Sequence, residues 1–308
     1  MSSLCGPLAG NREAGWFRSW GMAYLFTIYR SGNDFSCRVD GGPPFFVGRR
    51  VPYEGRIGLY NIFAGSRLLK IDYDPAAFAG EFGFWAEFIL PTAMCEGRNF
   101  LTLNTYDRAA FTFGFGQFAA HVPNGDFVQY FRTMLTLPQA PLYFPHLAVI
   151  GGRITGTDGA GPLESDASTA ALMAYLNPNL AEVQDAEVVA AAKFIHWTAT
   201  TPAAQSVQVD QMIDTYRGFM RRADHRVGID GRTAAECCVI ADILHQGRGG
   251  SMTWPLIQSA LNSTTPLEAL IKIGAPAWEE RRRVLRRALQ RNPNFANRRW
   301  SRAAGDFV

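Results

Sequence analysis

The alternation in Phe111-Thr112-Phe113-Gly114-Phe115-Gly116 limits the folds open to this chain more than any other stretch of it. A period of two puts the three phenylalanines on one side of the backbone and Thr112, Gly114 and Gly116 on the other, the pattern of a strand with one buried face. Glycine at such positions lets a neighbouring group come close to the backbone. Gln117 and Phe118 continue the run, Glu96 closes a helical pattern upstream, and Asp107 lies between the two segments. The stretch therefore reads as a helix end followed by a tight β-hairpin, carrying a Glu, an Asp and a Thr at short, fixed intervals.

Two carboxyl groups in contrasting surroundings form an acid–base pattern. Glu96 ends the apolar run Ile89-Leu90-Pro91-Thr92-Ala93-Met94-Cys95, whose desolvation favours a neutral carboxyl group and suits a general acid. Asp107 sits among Asn104, Thr105, Tyr106 and Arg108 and is expected to stay ionised. A core hairpin and a solvated helix-end Glu would explain each residue singly. The ordered set of Glu, Asp, Thr and two glycines points to a site.

That set resembles the phage-lysozyme (muramidase) family, part of the lysozyme-like superfamily that also contains lytic transglycosylases and chitosanases. The family places a helix-borne Glu before a hairpin of the form Asp-x5-Thr-x-Gly-x-Gly-His. Here Asp107-x4-Thr112-x-Gly114-x-Gly116-Gln117 is one residue shorter between Asp and Thr, and Gln117 stands in the His position. The resemblance implies an α+β fold with a mainly helical catalytic domain and a catalytic hairpin. It implies cleavage of a β-1,4 glycosidic bond in peptidoglycan, with Glu96 as general acid, Asp107 as electrostatic partner or water-orienting base, and Thr112 positioning the water. Tyr106, Gly114, Gly116 and Gln117 would lie against the sugar chain, and no cofactor is needed. The Gly-x-Gly-Gln ending is nearer to lytic transglycosylases, which rely mainly on one Glu. The alternative from another class is a non-catalytic phage virion or binding protein that keeps the lysozyme-like fold.

The 308 residues, 47% hydrophobic and 19% charged, suit a packed core and exclude global disorder. No apolar run is long enough to span a bilayer, and Met1–Pro7 lacks a basic segment followed by an apolar one, so no secretory signal is expected. Five cysteines form neither a metal spacing nor an even disulfide framework, and adjacent Cys237 and Cys238 read as buried small apolar residues. Scattered histidines give no His-Glu-x-x-His or His-x-His, so no metal site is expected. The chain is thus expected to be made in the cytoplasm and to act at the bacterial cell wall, delivered by a secretion machine or released in phage lysis. A secretion-system component, or an immunity protein plugging the cleft, is the implied partner beside the peptidoglycan strand.

Residues 1–74 read as a β-rich N-terminal module with strands at Met22–Tyr29, Phe45–Gly48, Ile57–Phe63 and Leu68–Tyr73; residues 75–308 read as the catalytic domain. A helix is predicted over Pro75–Leu90, with Pro91 as a kink or a new first turn, and another over Asp126–Leu135. Pro138–Pro162 reads as a loop or short hairpin on the cleft rim, and helices follow from Ser168 to Gln290. His245 reads as a helix C-terminal residue favoured by the macrodipole, with a place in the cleft as the alternative. Trp197, Tyr216 and Trp254 read as core, with sugar-stacking platforms as the alternative. Nine arginines against two acids lie between Glu279 and Arg302, in a chain of net charge +3. This helix reads either as a contact for the anionic envelope or as a solvated face with Leu285 and Leu289 inward. No nucleic-acid fold signature accompanies it, so no nucleic-acid partner is expected.

Overall fold

The computed structural model describes residues 23–63 and 65–308. The signal-segment reading at Met1–Pro7, Cys5 and the start of the strand predicted at Met22 lie outside them. The fold is α+β, an antiparallel sheet against a mainly helical body. Strands β1 (Phe26–Ser31), β2 (Asp34–Val39), β3 (Phe45–Tyr53) and β4 (Arg56–Tyr60) form a meander. At the β3–β4 turn Glu54 and Gly55 both take positive φ, the mirror-image turn that matches strand twist. The second strand was hidden by the break at Arg30–Asp34, yet Phe35 and Cys37 are buried and alternate with half-buried Ser36 and Arg38. The strand predicted over Leu68–Tyr73 does not form; the segment makes a single isolated bridge, Asp72 to Asn99.

The helix predicted from Pro75 is broken. A short 3-10 turn (Pro75–Ala77) and α1 (Ala79–Phe82) stop at Gly83, whose φ of 57° no ordinary helix residue adopts, and α2 (Phe84–Cys95) starts afresh. Pro91 neither ends nor restarts α2, which runs through it. Strands β5 (Leu103–Asn104), β6 (Thr112–Phe113) and β7 (Phe118–Ala119) form the hairpin region, and they extend the N-terminal sheet. Tyr60 of β4 pairs with Asn104, Asn104 with Thr112, and Thr112 with Ala119. The division at residue 74 therefore does not separate two cores. One sheet of seven strands crosses it, and one hydrophobic cluster holds Phe35, Val47 and Leu59 together with Phe113, Trp197 and Tyr216.

After α3 (Asp126–Met134) and α4 (Ala140–Tyr143) comes a small sheet, β8 (Leu147–Ile150), β9 (Arg153–Gly156) and β10 (Gly161–Pro162), where a loop or hairpin was predicted. The body comprises α5 (Ala170–Leu176), α6 (Asp185–Thr200), α7 (Pro202–Val227), α8 (Ala234–Gln246), α9 (Thr253–Leu261), α10 (Pro266–Lys272), α11 (Glu279–Arg291) and α12 (Asn294–Asn297). A terminal hairpin, β11 (Trp300–Ser301) and β12 (Asp306–Phe307), sets Phe307 on Phe88 with ring centres 4.6 Å apart. The 26-residue α7 is the axis: it packs on α2, α3, α6, α8 and α9. Its buried Val209, Met212, Ile213, Tyr216 and Met220 recur at helical spacing, and each fully buried side chain of that size stabilises the fold by roughly 1.5–3 kcal/mol. Trp197, Tyr216, Cys237 and Cys238 are fully buried, and Trp254 is partly buried against the core. Among the described residues no helix is long and apolar enough to cross a membrane.

Candidate functional site

Glu96 caps the C-terminus of α2, and the chain reverses at once. Gly97 and Arg98 take φ of 94° and 63°, and the Arg98 N–H returns to the Ala93 carbonyl at 2.8 Å, the bond of a Schellman ending. A Cβ on Gly97 would lie 2.9 Å from Ile62 Cδ1, a side-chain end that can shift, so the turn needs glycine chiefly for its φ.

Buried amide and hydroxyl side chains then steer the chain into the hairpin. Asn61 donates to the Leu101 carbonyl at 2.7 Å and accepts from the Leu103 N–H at 2.8 Å. Asn177 donates to the carbonyls of Thr105 and Ala110, both at 3.0 Å. Gln208 of α7 donates to the Phe100 carbonyl at 3.1 Å and accepts from the Phe115 N–H at 3.2 Å. Beneath them Glu187 of α6, fully buried, accepts from the Thr105 hydroxyl and from the Leu59 N–H at 3.2 Å, while its Oε2 has no partner. Burial pushes the Glu187 carboxyl up to about 7, against the lowering effect of those hydrogen bonds. Sequence reading did not find these four residues. Each sits far along the chain from the hairpin, and a polar residue inside a helical or loop pattern carries no mark of burial.

Glu96 and the hairpin face each other across a cleft of about 460 Å³, lined on the hairpin side by Arg108, Gln117, Ala119 and His121 and on the α8 side by His245 and Gln246. Gln117, Ala119 and His121 alternate onto the cleft while Phe118 and Ala120 are buried behind them. Thr112 pairs with Ala119 across the sheet, but it is buried and does not line the cleft. His121 is held below the ordinary histidine range by partial burial and by Arg108, opposed by Asp107.

The structure thus brings Glu96 and Gln117 together on one cleft, and it revises the other expected contacts, Thr112 among them. Glu96 is in an ionic setting, not an apolar one. Its Oε1 accepts from Arg281 Nη1 at 2.7 Å and lies 3.6 Å from His245 Nε2. The apolar residues before it, including Ile89 and Ala93, turn into the core and not toward the carboxyl group. Asp107 is a turn former: its Oδ1 accepts from the Ala109 N–H at 2.8 Å and its Oδ2 from Asn104 Nδ2 at 3.1 Å. Gly114 and Gly116 do not offer an open backbone to a ligand. A Cβ on Gly114 would sit 2.4 Å from Gln208 Oε1, and one on Gly116 would sit 2.6 Å from the Phe118 ring and 3.3 Å from Met212 Sδ. Their small size lets the hairpin close on α7. Tyr106 packs against Tyr53 and Tyr60, with centres 5.2 and 5.9 Å apart, and does not line the cleft. The β8–β9 hairpin, expected on the rim, contributes nothing to the lining. His245 takes both of the places weighed for it, the last turn of α8 and the cleft wall.

A larger cavity of about 500 Å³ opens between β2, β3 and α6, lined by Phe45, Phe46 and His196, away from Glu96. It is mainly apolar and brings together no carboxylate pair. Among the described residues, no group of three or more His, Cys, Asp or Glu is placed to hold a metal. No family model, curated protein or solved structure matches the chain.

Proposed function

We propose that the cleft between α2 and the hairpin cleaves a β-1,4 glycosidic bond of peptidoglycan strands, with Glu96 as the proton donor. One observation carries the reading. A carboxylate at the end of a helix faces, across an open polar cleft, a hairpin wall bearing Gln117 and His121. Asp107, fixed by its turn, contributes negative charge beside the hairpin wall for a developing oxocarbenium ion, and the buried Thr112 supports that wall from the adjacent strand. Glu96→Gln preserves shape and removes the proton. It should abolish clearing of purified sacculi while the circular dichroism spectrum and melt stay those of a folded protein.

Two further readings each have an observation in their favour. Both Asp107 oxygens are engaged in the turn, which suits a single-carboxylate lytic transglycosylase. Its products would carry an internal anhydro ring and weigh one water less. The Glu96–Arg281 pair suits a non-catalytic glycan-binding protein, in which Glu96 completes a buried charge set. Sacculi that bind the wild-type chain and are never cleaved would establish that reading instead.

A further inference from the structure

We propose that Arg281 is the positioning residue for Glu96, so that the arginine-rich α11 is part of the site and not a solvated appendage. The guanidinium has two jobs at once. Its Nε and Nη2 grip Asp242, Nε at 3.1 and 3.2 Å from the two oxygens and Nη2 at 2.8 Å from Oδ1, which leaves Nη1 to donate to Glu96 at 2.7 Å. Asp242 on α8 is fully buried and is fixed from two other directions, by the Thr92 hydroxyl at 3.0 Å and by Arg248 Nη2 at 2.8 Å. Three elements therefore converge on one carboxylate, and the arginine that carries their geometry outward ends on Glu96. With Glu96 ionised the charges close as a set, Arg248 and Arg281 against Asp242 and Glu96, and with a proton on Oε2 for donation Glu96 still accepts from Arg281 through Oε1. Burial works against the Arg281 charge, but Asp242, then Glu96, outweigh it and hold the cation firmly. The backbone is tied as well, because the Cys95 thiol, one residue before Glu96, donates to the Arg281 carbonyl at 3.7 Å.

A planar fork explains why the residue is arginine. An ammonium group cannot span a bidentate contact to one carboxylate and a third contact to another. The remaining charge on α11 is partly spent locally: Arg286 pairs with Glu268 at 2.8 Å and Arg283 with Glu280. Arg281 is the arginine of this helix that reaches the cleft carboxylate.

The catalytic part of this role rests on the glycosidase reading; the coupling of Arg281 to Glu96 does not, and the experiment separates them. Without substrate, nitrogen-15 spectra of the arginine side chains should show Arg281 Nη signals restricted in rotation in the full-length protein. Glu96→Ala, which removes the acceptor, should release Nη1 while Nε stays restricted by Asp242. With sacculi or a soluble glycan oligomer, Arg281→Lys should lower kcat about 100-fold with KM little changed, the loss expected from a small misplacement of a reacting group. Arg281→Ala, confirmed folded, should regain activity with millimolar guanidinium and not with urea. If Arg281→Ala does not fold, Arg281→Lys and the spectra decide. Unrestricted Arg281 Nη signals in the wild type, wild-type kcat in Arg281→Lys, or no guanidinium rescue of a folded Arg281→Ala would each overturn the proposal. A wild type that cleaves no glycan but shows the restricted signals would overturn the glycosidase reading and leave the coupling standing.

Discussion

Glu187→Gln should remove a pH dependence of stability that the fold builds into its core. The wild-type carboxyl is fully buried, keeps one oxygen unpartnered, and ionises near 7 in place of the ordinary 4.5. Below about 4.5 the group is protonated both folded and unfolded, and stability is unaffected. Between about 4.5 and 7 the unfolded chain releases its proton while the folded chain keeps it, so the native state binds more protons and stability falls as pH rises. Above that window both states are ionised and the full penalty stays on the folded state. At about 1.4 kcal/mol per unit the penalty is roughly 3 kcal/mol. Glutamine keeps the volume and an oxygen to accept from Thr105 and Leu59, and it exchanges one unpartnered atom for another, so it should cost little itself. Urea melts of both proteins at pH 5, 6, 7 and 8 give the difference directly, since every other titrating group cancels. The variant should gain about 2.5 kcal/mol on the wild type between pH 5 and 8, the rest of the penalty already being present at pH 5. A difference constant across those four pH values would refute the reasoning, because it would mean that Glu187 does not titrate there.

Other expectations follow from the site. Glu96→Gln should reduce glycan cleavage at least 100-fold, a change of about 3 kcal/mol in barrier, with KM or sacculus binding retained; turbidity clearance and a pull-down on the same preparations check it. Gly114→Ala should lower stability by about 2 kcal/mol or more, because the new methyl meets Gln208 and φ is 88°, and melting temperature and activity should fall together. A loss of activity with an unchanged melt would return Gly114 to the substrate face. Asp107→Asn keeps the acceptor for Ala109, so the turn should survive; retained activity with anhydro products, read by mass spectrometry, would mark a transglycosylase, and lost activity would mark Asp107 as the base.

What could be read along the chain was what depends on neighbours in sequence. The period of two at Phe111–Phe115 pointed to the hairpin and its buried phenylalanines, and helical spacing from Pro202 to Arg222 pointed to the axial helix, which runs on to Val227. Thr233 and Glu236 form a capping box that starts α8 where the pattern placed it. What failed depends on partners distant in sequence. Leu68–Tyr73 has strand composition but no strand beside it to pair with. Gly83 cuts an otherwise helical run because a single positive φ outweighs the surrounding propensity. Glu96 follows seven mostly apolar residues, yet the group that reaches its carboxyl is an arginine 185 positions away. The alternation also predicted Thr112 and Gly114 on an open face, yet Thr112 is buried, and Gly114 starts the turn in which Gln117 N–H bonds its carbonyl at 2.9 Å.

The distribution of buried polar groups gives these misses a common cause. Asn61, Asn177, Gln208 and Glu187 hold one wall of the cleft, and Asp242, Arg248 and Arg281 hold the other. Apolar side chains of the same volume would fill such places at equal or greater stability, since a buried ion pair repays its desolvation poorly. What hydrogen bonds and paired charges add is direction. An apolar contact tolerates a slide of an ångström, whereas a carboxylate gripped by two arginines and a hydroxyl does not. Both networks end on the two surfaces that face each other, the Glu96 carboxyl and the hairpin backbone. The same device recurs away from the cleft, where buried Glu164 is held by Arg132 at 2.7 Å, by Arg153 at 3.1 Å and by the Ile154 N–H at 2.9 Å on the β8–β9 hairpin. At the cleft, however, two such networks meet from opposite sides, and Glu96 at the end of one of them stays partly open to solvent. That convergence is a physical reason, independent of the hairpin motif, to test the cleft between α2 and the hairpin first.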